Sequence, residues 1–471
     1  MAELSAQFQI RESLLRKALF VFNRSDERGK EQQSKKSGSG PRTHCAETFT
    51  TKVWSTATKI VRPWYCPQVL DVQDTARCRV LTMQRVTVRV PAREIKFEIR
   101  IDSGLISEIG EAARKALGPG ARRAALISNR KVFDLFGEKV LRALRSSGFD
   151  VSVWLMKDGE QHKSMRSLEQ ALTFFSKEGL ERNDVVVALG GGVVGDLAGF
   201  AAATYLRGVA FIQVPTTLLA QIDASVGGKT GINTAAGKNL VGAFQQPRLV
   251  LIDTDTLQTL PQRELTAGWC EAIKQGAAGD RKLFDRTVRL LRSAGTHASN
   301  VQHARGMRIN LAATIAAHCR FKAAIVSGDE REAIDRSDRR SRKILNFGHT
   351  TAHALEAVTN YRRFRHGEAV GYGMMVAAEI SKSLGMLKPD ELELLRGAVR
   401  ACGPLPQADD IESDELIGAM KGDKKSVGGQ IKWVLLEAVG RARIVDGREV
   451  NRRALRKALH DGLQMDVKET I

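Results

Sequence analysis

Two rhythms of apolar and polar positions divide the chain. The stretch MQRVTVRVPAREIKFEIRI, from Met83, alternates apolar and polar residues, the period of half-buried strands. AALISN, VSVWLM, VVVALGGG, AFIQVP and LVLID follow as short apolar runs bounded by Gly, Asn, Asp or Pro, which predicts buried strands. Between several of them lie helical patterns such as LEQALTFFSKEGL. Strands alternating with helices predict an α/β, Rossmann-like parallel layer over residues 83–255. Beyond Leu257 the apolar spacing turns helical, as in ARGMRINLAATIAAHCRFKAAIV and GEAVGYGMMVAAEISKSLG, so residues 256–471 are expected to form a mainly helical domain with one short hairpin near QIKWVLLEAVGRARIV. Residues 1–82 follow neither rhythm. The segment SDERGKEQQSKKSGSGPRTH has the composition of a disordered extension; a basic targeting segment with helical turns at Ile10 to Phe22, or a start codon assigned upstream of Met83, are the alternatives.

Composition narrows the class. With 471 residues and 43% apolar content, the chain can bury two or more cores. Its apolar runs fall short of the roughly 20 residues that cross a bilayer, and its first thirty residues lack the apolar stretch and cleavage site of a secretory signal, so a cytoplasmic protein without membrane contact is expected. The six cysteines include no CxxC pair, which argues against both a disulfide scaffold and a thiolate zinc site. A formal charge of +20 would suit nucleic acid, but the basic residues are dispersed and aromatic residues make up only 6%, so no nucleic-acid partner is expected. An anionic small molecule accounts for part of the excess equally well.

Candidate chemistry lies at two ends of the pattern. In VVVALGGGVVGDLAGFAAATY a buried strand runs through Gly190, Gly191 and Gly192 into a helix that carries Val193, Gly195 and Asp196. Glycines at such a turn let backbone amides and a helix N-terminus approach a pyrophosphate. Taken alone, the turn is equally a tight strand-to-helix connection. Upstream, DGEQHKS places Asp158, Glu160 and Lys163 in one loop, while Asn129, Thr216 and Thr217 sit at other strand ends. In the second half, Glu271, His349 and His366 could supply two imidazoles and a carboxylate to an open zinc site. His353, four residues after His349, shares its helix face. A metalloprotease motif is excluded, because Thr350 stands where HExxH requires Glu. Lys229, Lys238, Lys274, Lys322, Arg342 and Lys424 are surface cations singly; together they suit a ligand bearing both phosphate and carboxylate.

The segments VALGGGVVGDLAGFAAATYLRG, VPTTLLAQIDASVGGKTGIN, GKNLVGAF, LNFGHTTAHALE and RHGEAVGYGM, with the Glu271–Lys274 segment, closely resemble the 3-dehydroquinate synthase family in identity and order, from about Arg85 onward. The resemblance implies a zinc site at Glu271, His349 and His366, with cobalt as a possible substitute. It implies an NAD site at Asn129, Asp158, Glu160, Lys163, Gly191, Gly192, Val193, Asp196, Thr216 and Thr217, with Lys229 and Lys238 beside it. Asp223, Lys229, Asn239, Lys274 and His353 fall on positions implied to be catalytic. Lys238, Lys322, Arg342, Asn346 and Lys424 fall on positions implied to hold substrate, and Arg207 on one that reaches a neighbouring subunit's site, which implies a homodimer. Three departures stand out. Ala352 replaces a common Gly, Cys270 and Gln275 flank the metal-ligand segment, and about six extra residues within REAIDRSDRRSR precede Arg342.

The activity so implied closes 3-deoxy-D-arabino-heptulosonate 7-phosphate into 3-dehydroquinate with release of phosphate, in the shikimate pathway. NAD would oxidise the carbinol carbon and return the hydride after elimination, before ring opening and an aldol closure, so the cofactor is catalytic and there is no net redox change. His353 with Asn239 and ordered water would relay a proton, and the departing phosphate can itself serve as base. The nearest rival is a sister cyclase acting on sedoheptulose 7-phosphate, which lacks the carboxylate that the cation set suits. A polyol dehydrogenase and a non-catalytic nucleic-acid binder are more distant alternatives.

Overall fold

The computed structural model describes residues 94–235, 237–293, 305–422 and 431–464, all within one compact unit, Pro91–Ile471. The expected extension over residues 1–82 and the candidate Lys424 lie outside the described residues.

Six parallel strands form the central sheet: β1 (Glu98–Asp102), β2 (Arg123–Asn129), β3 (Asp150–Met156), β4 (Val185–Gly190), β5 (Ala210–Pro215) and β8 (Leu249–Asp253). Their order is β1-β8-β5-β4-β2-β3. The predicted apolar runs are continuous because both sheet faces are covered. In β4, Val185, Val187 and Leu189 pack with helices α1 (Ile109–Leu117) and α2 (Glu138–Ser146). Val186 and Ala188 point the other way, into a core with α3 (Met165–Lys177) and α4 (Gly192–Thr204). Each fully buried Val or Leu contributes roughly 1.5–3 kcal/mol, so a polar residue in either register would be costly.

An antiparallel hairpin, β6 (Lys229–Thr234) and β7 (Gly237–Phe244), interrupts the alternation before β8. From Gln262 onward helices dominate: α5 (Gln262–Gly279), α6 (Arg281–Ser293), α7 (Arg305–Gly328), α8 (His349–Val358), α9 (His366–Ser383), α10 (Pro389–Ala401), α11 (Ser413–Gly422) and α12 (Arg452–Leu463). The expected second hairpin is β9 (Lys432–Ala438) with β10 (Arg441–Asp446). The helical core is continuous with the sheet, since Leu218, Ile222, Val250 and Ile252 join the same buried cluster as Trp269, Phe284 and Met375.

By length and composition alone, Ile309–Gly328 could cross a bilayer. Here it lies with one side buried in the fold. It carries buried His318 and Lys322 inward, and both make hydrogen bonds with other elements of the fold.

Candidate active site

The nucleotide candidates collect at the C-terminal ends of β2, β3, β4 and β5, where open α/β sheets bind ligands. Asn129 ends β2. Its Oδ1 accepts from Val132 N at 2.9 Å, and its Nδ2 donates to Asp158 Oδ1 at 3.2 Å. Lys163 is almost fully buried. Its ammonium donates to Asp196 Oδ2 at 2.9 Å and Asn239 Oδ1 at 2.7 Å, with Glu160 at 3.3 Å. Burial works to lower the Lys163 pKa, but the carboxylates of Asp196 and Glu160 outweigh it and raise the pKa, keeping the amine charged.

Gly191 begins α4 without a side-chain cap, so Gly192, Val193 and the rest of the first turn present backbone N–H groups toward the site. A Cβ on Gly191 would sit 3.0 Å from Thr217 Cγ2, which explains the residue type at this close turn. Thr216 bonds through its backbone N–H to Gly190 O, and Thr217 Oγ1 accepts from Ala220 N. A small cleft lies against this turn, lined by Gly190, Gly192, Asp196, Gln213 and Ser225 among others.

The metal candidates converge from α5, α8 and α9. Ligand atoms of Glu271, His349 and His366 all lie within 4.8 Å of one another. Glu271 Oε1 stands 3.6 Å from His366 Nε2 and 3.9 Å from His349 Nε2. Four ligands held tetrahedrally at zinc distances lie about 3.4 Å apart, so a small contraction around an ion completes the geometry. Glu271 itself demands a partner. It is buried and neither carboxylate oxygen has an aligned hydrogen bond, although Lys274 Nζ forms an ion pair with Oε2 at 2.6 Å. Burial tends to lower the Lys274 pKa, but Glu271 and Asp223 outweigh it, so the amine stays protonated. The donor set of two imidazoles and one carboxylate, with an open fourth position, fits zinc or cobalt.

The remote nitrogens of both histidines are held. His349 Nδ1 lies 3.3 Å from Phe347 O, and His366 Nδ1 lies 3.4 Å from Glu356 Oε2, which fixes the opposite nitrogens toward the cluster. His353 lies beside them, its ring stacked on His366 with centroids 6.0 Å apart. Glu356 also receives Lys238 Nζ at 3.0 Å. Burial pushes the Glu356 carboxyl up, but His366 and Lys238 outweigh it and hold it at about 2.

Hairpin β6–β7 joins the two ends. Consecutive residues Lys238 and Asn239 bond to Glu356 beside the metal cluster and to Lys163 beside the nucleotide turn. Asn239 adopts φ 53°, a left-handed conformation that Asn tolerates and that turns its side chain toward Lys163. The Asn239 side chain is thus engaged by Lys163 at the nucleotide end of the hairpin. At the start of β6, Lys229 pairs with Glu332, whose other oxygen accepts from Asn346 Nδ2 at 2.9 Å.

Lys322 Nζ lies 2.8 Å from Asp223 Oδ1 and 2.7 Å from Asp223 O. Burial would raise the Asp223 carboxyl, yet Lys322, Lys274 and Gln275 hold it well below the usual carboxylate range. The extra residues before Arg342 fold back on Asp329, which accepts from Ala333 N and Arg342 N. Buried Arg342 therefore stays in the cleft, donating to Gly227 O and Glu330 O, while Arg336 and Arg339 pair outward with Asp338 and Glu437. Arg207 stands apart on the exposed turn after α4, where Leu206 and Arg207 both have positive φ (48° and 66°).

Glu332, Glu356, Asn233 and Gln275 were absent from the sequence-derived candidates as site residues. Glu356 was legible: with His349 and His353 it completes an i, i+4, i+7 stripe on α8. Asn233 bonds Glu160 Oε1 and Asn239 N from within the hairpin, and no sequence signal marked it.

Comparisons with known proteins agree with this geometry. Residues 153–267 match the model described as 3-dehydroquinate synthase N-terminal, and residues 268–426 match 3-dehydroquinate synthase C-terminal. A 3-dehydroquinate synthase from Pelotomaculum thermopropionicum is 42% identical over 367 residues, covering 77% of this chain and 93% of its own. One from Gloeobacter violaceus is 41% identical over 378 residues, covering 80% and 99%. Among solved structures, the 2-epi-5-epi-valiolone synthase of Streptomyces hygroscopicus, with NAD+ and Zn2+ bound, superposes with a TM-score of 0.70 at 26% identity, covering 80% of this chain and all of that one. A glycerol dehydrogenase from Schizosaccharomyces pombe shares the fold alone, at TM-score 0.56 and 15% identity, covering 79% and 92%. With both halves of the site matched in order along the chain, this protein belongs to the 3-dehydroquinate synthase family.

Proposed function

We propose that the protein is a 3-dehydroquinate synthase, converting 3-deoxy-D-arabino-heptulosonate 7-phosphate to 3-dehydroquinate and phosphate as a soluble enzyme of the cytoplasm. The observation that carries the reading is the meeting of Glu271, His349 and His366, an uncapped helix N-terminus and the cations Lys163, Lys238 and Arg342 around one hairpin. The relatives at about 40% identity carry the synthase name, whereas the sister cyclase stands at 26%.

In this reading residues 83–255 form the nucleotide layer and residues 256–471 the metal and substrate domain. Glu271, His349 and His366 would hold zinc or cobalt. The α4 turn, with Asn129, Asp158, Glu160, Lys163, Asp196, Thr216 and Thr217, would hold NAD. When bound, the metal polarises the reacting hydroxyl and NAD serves as a reversible hydride acceptor. The chain's own residues bind, orient and move protons. Lys274, beside Glu271, stands where developing negative charge needs a fixed cation. Lys229, Lys322 and Arg342, with Asn346 and Lys424, neutralise the phosphate and carboxylate of one retained molecule. His353, next to the metal ligands and not among them, relays a proton at its ring nitrogen. Arg207 would complete the phosphate site of a second subunit in a homodimer.

The test is a side-by-side assay of the zinc-loaded enzyme, with NAD, on the heptulosonate phosphate and on sedoheptulose 7-phosphate. Phosphate release with 3-dehydroquinate from the first alone supports the reading. Preferential cyclisation of the second overturns it in favour of the sister activity.

A further inference from the structure

Asp223 lies in an irregular turn, and the way the fold restrains that turn is unusual. Residues Ala220–Ala224 form a single π-helical turn, a geometry that leaves carbonyls outside a regular hydrogen-bond ladder. Three successive carbonyls are taken by side chains from neighbouring helices. Cys319 Sγ reaches Gln221 O at 3.3 Å, Gln275 Nε2 reaches Ile222 O at 3.1 Å, and Lys322 Nζ reaches Asp223 O at 2.7 Å. Gln275 Nε2 also donates to Asp223 Oδ1 at 3.0 Å.

Behind Gln275 the polar chain continues inward. His318 Nδ1 lies 3.0 Å from Gln275 Oε1, and His318 Nε2 lies 3.0 Å from Thr287 Oγ1. All three side chains are completely buried. The bonding directions are determined by chemistry. The Gln275 amide must turn its NH2 toward Asp223, since the reverse would set a carbonyl against a carboxylate. Its Oε1 can only accept, so His318 carries its proton on Nδ1. Burial drives the imidazole toward the neutral form, with its pKa lowered to about 3. Neutral Nε2 then accepts from the Thr287 hydroxyl, which otherwise turns to Leu283 O.

Such a chain is costly compared with apolar side chains of the same shape, which would pack there without desolvation. Its far end is Asp223, and the two helices that supply it also supply Glu271, one turn before Gln275 on α5, and Lys322, one turn after His318 on α7. We propose that Gln275 and His318 are positioning residues, a buried relay from Thr287 that fixes the Asp223 carboxylate and its partner Lys322 against the substrate. The proposal rests on the substrate role of Asp223 and Lys322 in the synthase reading. It also gives a role to Gln275, which lies one turn after Glu271 and reaches into the fold toward His318.

The test uses the full chain loaded with zinc and NAD. Gln275→Met keeps the volume and removes the donor; His318→Leu removes the donor to Gln275. His318→Asn places an amide nitrogen near the position of Nδ1 and restores that donor. Expected for Gln275→Met and His318→Leu is a loss of about 10- to 100-fold in kcat/KM for the heptulosonate phosphate, with zinc content and NAD affinity within about twofold of the parent. His318→Asn recovers most of that loss. A folded Gln275→Met enzyme with parental kcat/KM overturns the relay, as do equal losses in His318→Asn and His318→Leu, or a loss that tracks zinc content. If His318→Leu fails to fold, Gln275→Met against His318→Asn decides the matter. A parent enzyme that releases no phosphate overturns instead the synthase reading, and with it the substrate role on which the relay depends.

Discussion

Removing the charge of Glu356 while keeping its shape, as Glu356→Gln, should loosen the metal without touching the proposed ligands Glu271, His349 and His366. Glu356 is buried, with Oε2 3.4 Å from His366 Nδ1 and Oε1 3.0 Å from Lys238 Nζ. A carboxylate behind a ligating imidazole fixes its tautomer and raises its basicity, and loss of such a partner costs about 10- to 100-fold in metal affinity. At 1.36 kcal/mol per tenfold that is about 1.4–2.7 kcal/mol. The length of the His366 contact places the expectation near the lower end. A neutral amide also leaves Lys238 without its counter-charge, 4.3 Å over the Tyr361 ring, adding an unbalanced cation close to the incoming ion. The assay is competition of the apoprotein with a chromophoric chelator for zinc, repeated with cobalt, whose visible spectrum reports ligand geometry. Weaker binding in Glu356→Gln with His349 and His366 intact is the predicted outcome. An unchanged zinc affinity together with an unchanged cobalt spectrum would refute the orienting role.

Further expectations follow from individual contacts. Because the folded-state pKa of His318 is depressed from 6.5 to about 3, its stability contribution is complete above pH 6.5 and is lost as pH falls toward 3. At pH 4.5 the loss is about 2.7 kcal/mol, so urea midpoints of His318→Asn should decline less than the parent's between pH 7 and pH 4.5; parallel declines would contradict this. Arg263→Ala should destabilise by about 1–3 kcal/mol, since it strips the bidentate partner from fully buried Glu368 at the start of α9, while the half-exposed arginine itself is partly screened. A melting temperature equal to the parent's would remove that pair from the account. Lys229→Ala should lower turnover far more than NAD affinity, because Lys229 pairs with Glu332 on the Asn346 side of the cleft; near-normal phosphate release would count against it.

The sheet was legible because each strand buried on both faces becomes a continuous apolar run, as in Val185–Gly190. The β6–β7 hairpin was not. Gly231 and Gly242 face each other so closely that a Cβ on Gly242 would lie 2.1 Å from Thr230 O, and the glycines that permit this approach break any apolar pattern. Glu271, His349 and His366, whose ligand atoms the fold brings together, stand out in the sequence by residue type and by the family resemblance, and His353 by its position one turn after His349. Glu332 was hidden for a different reason. It sits at φ 55° in an irregular segment, and only the tertiary return of the chain brings it between Lys229 and Asn346. The role of Gln275 depends on His318 and Thr287, which lie on other helices and carry no shared spacing with it.

The central claim is that one anionic molecule is retained while its hydride leaves and returns. The most direct measurement follows phosphate, 3-dehydroquinate and NADH together during complete conversion of the heptulosonate phosphate by the zinc-loaded enzyme. The account predicts that omitting NAD stops the reaction, that phosphate and 3-dehydroquinate form in equal amounts, and that no NADH accumulates. NADH appearing in proportion to substrate consumed would contradict it and identify a dehydrogenase.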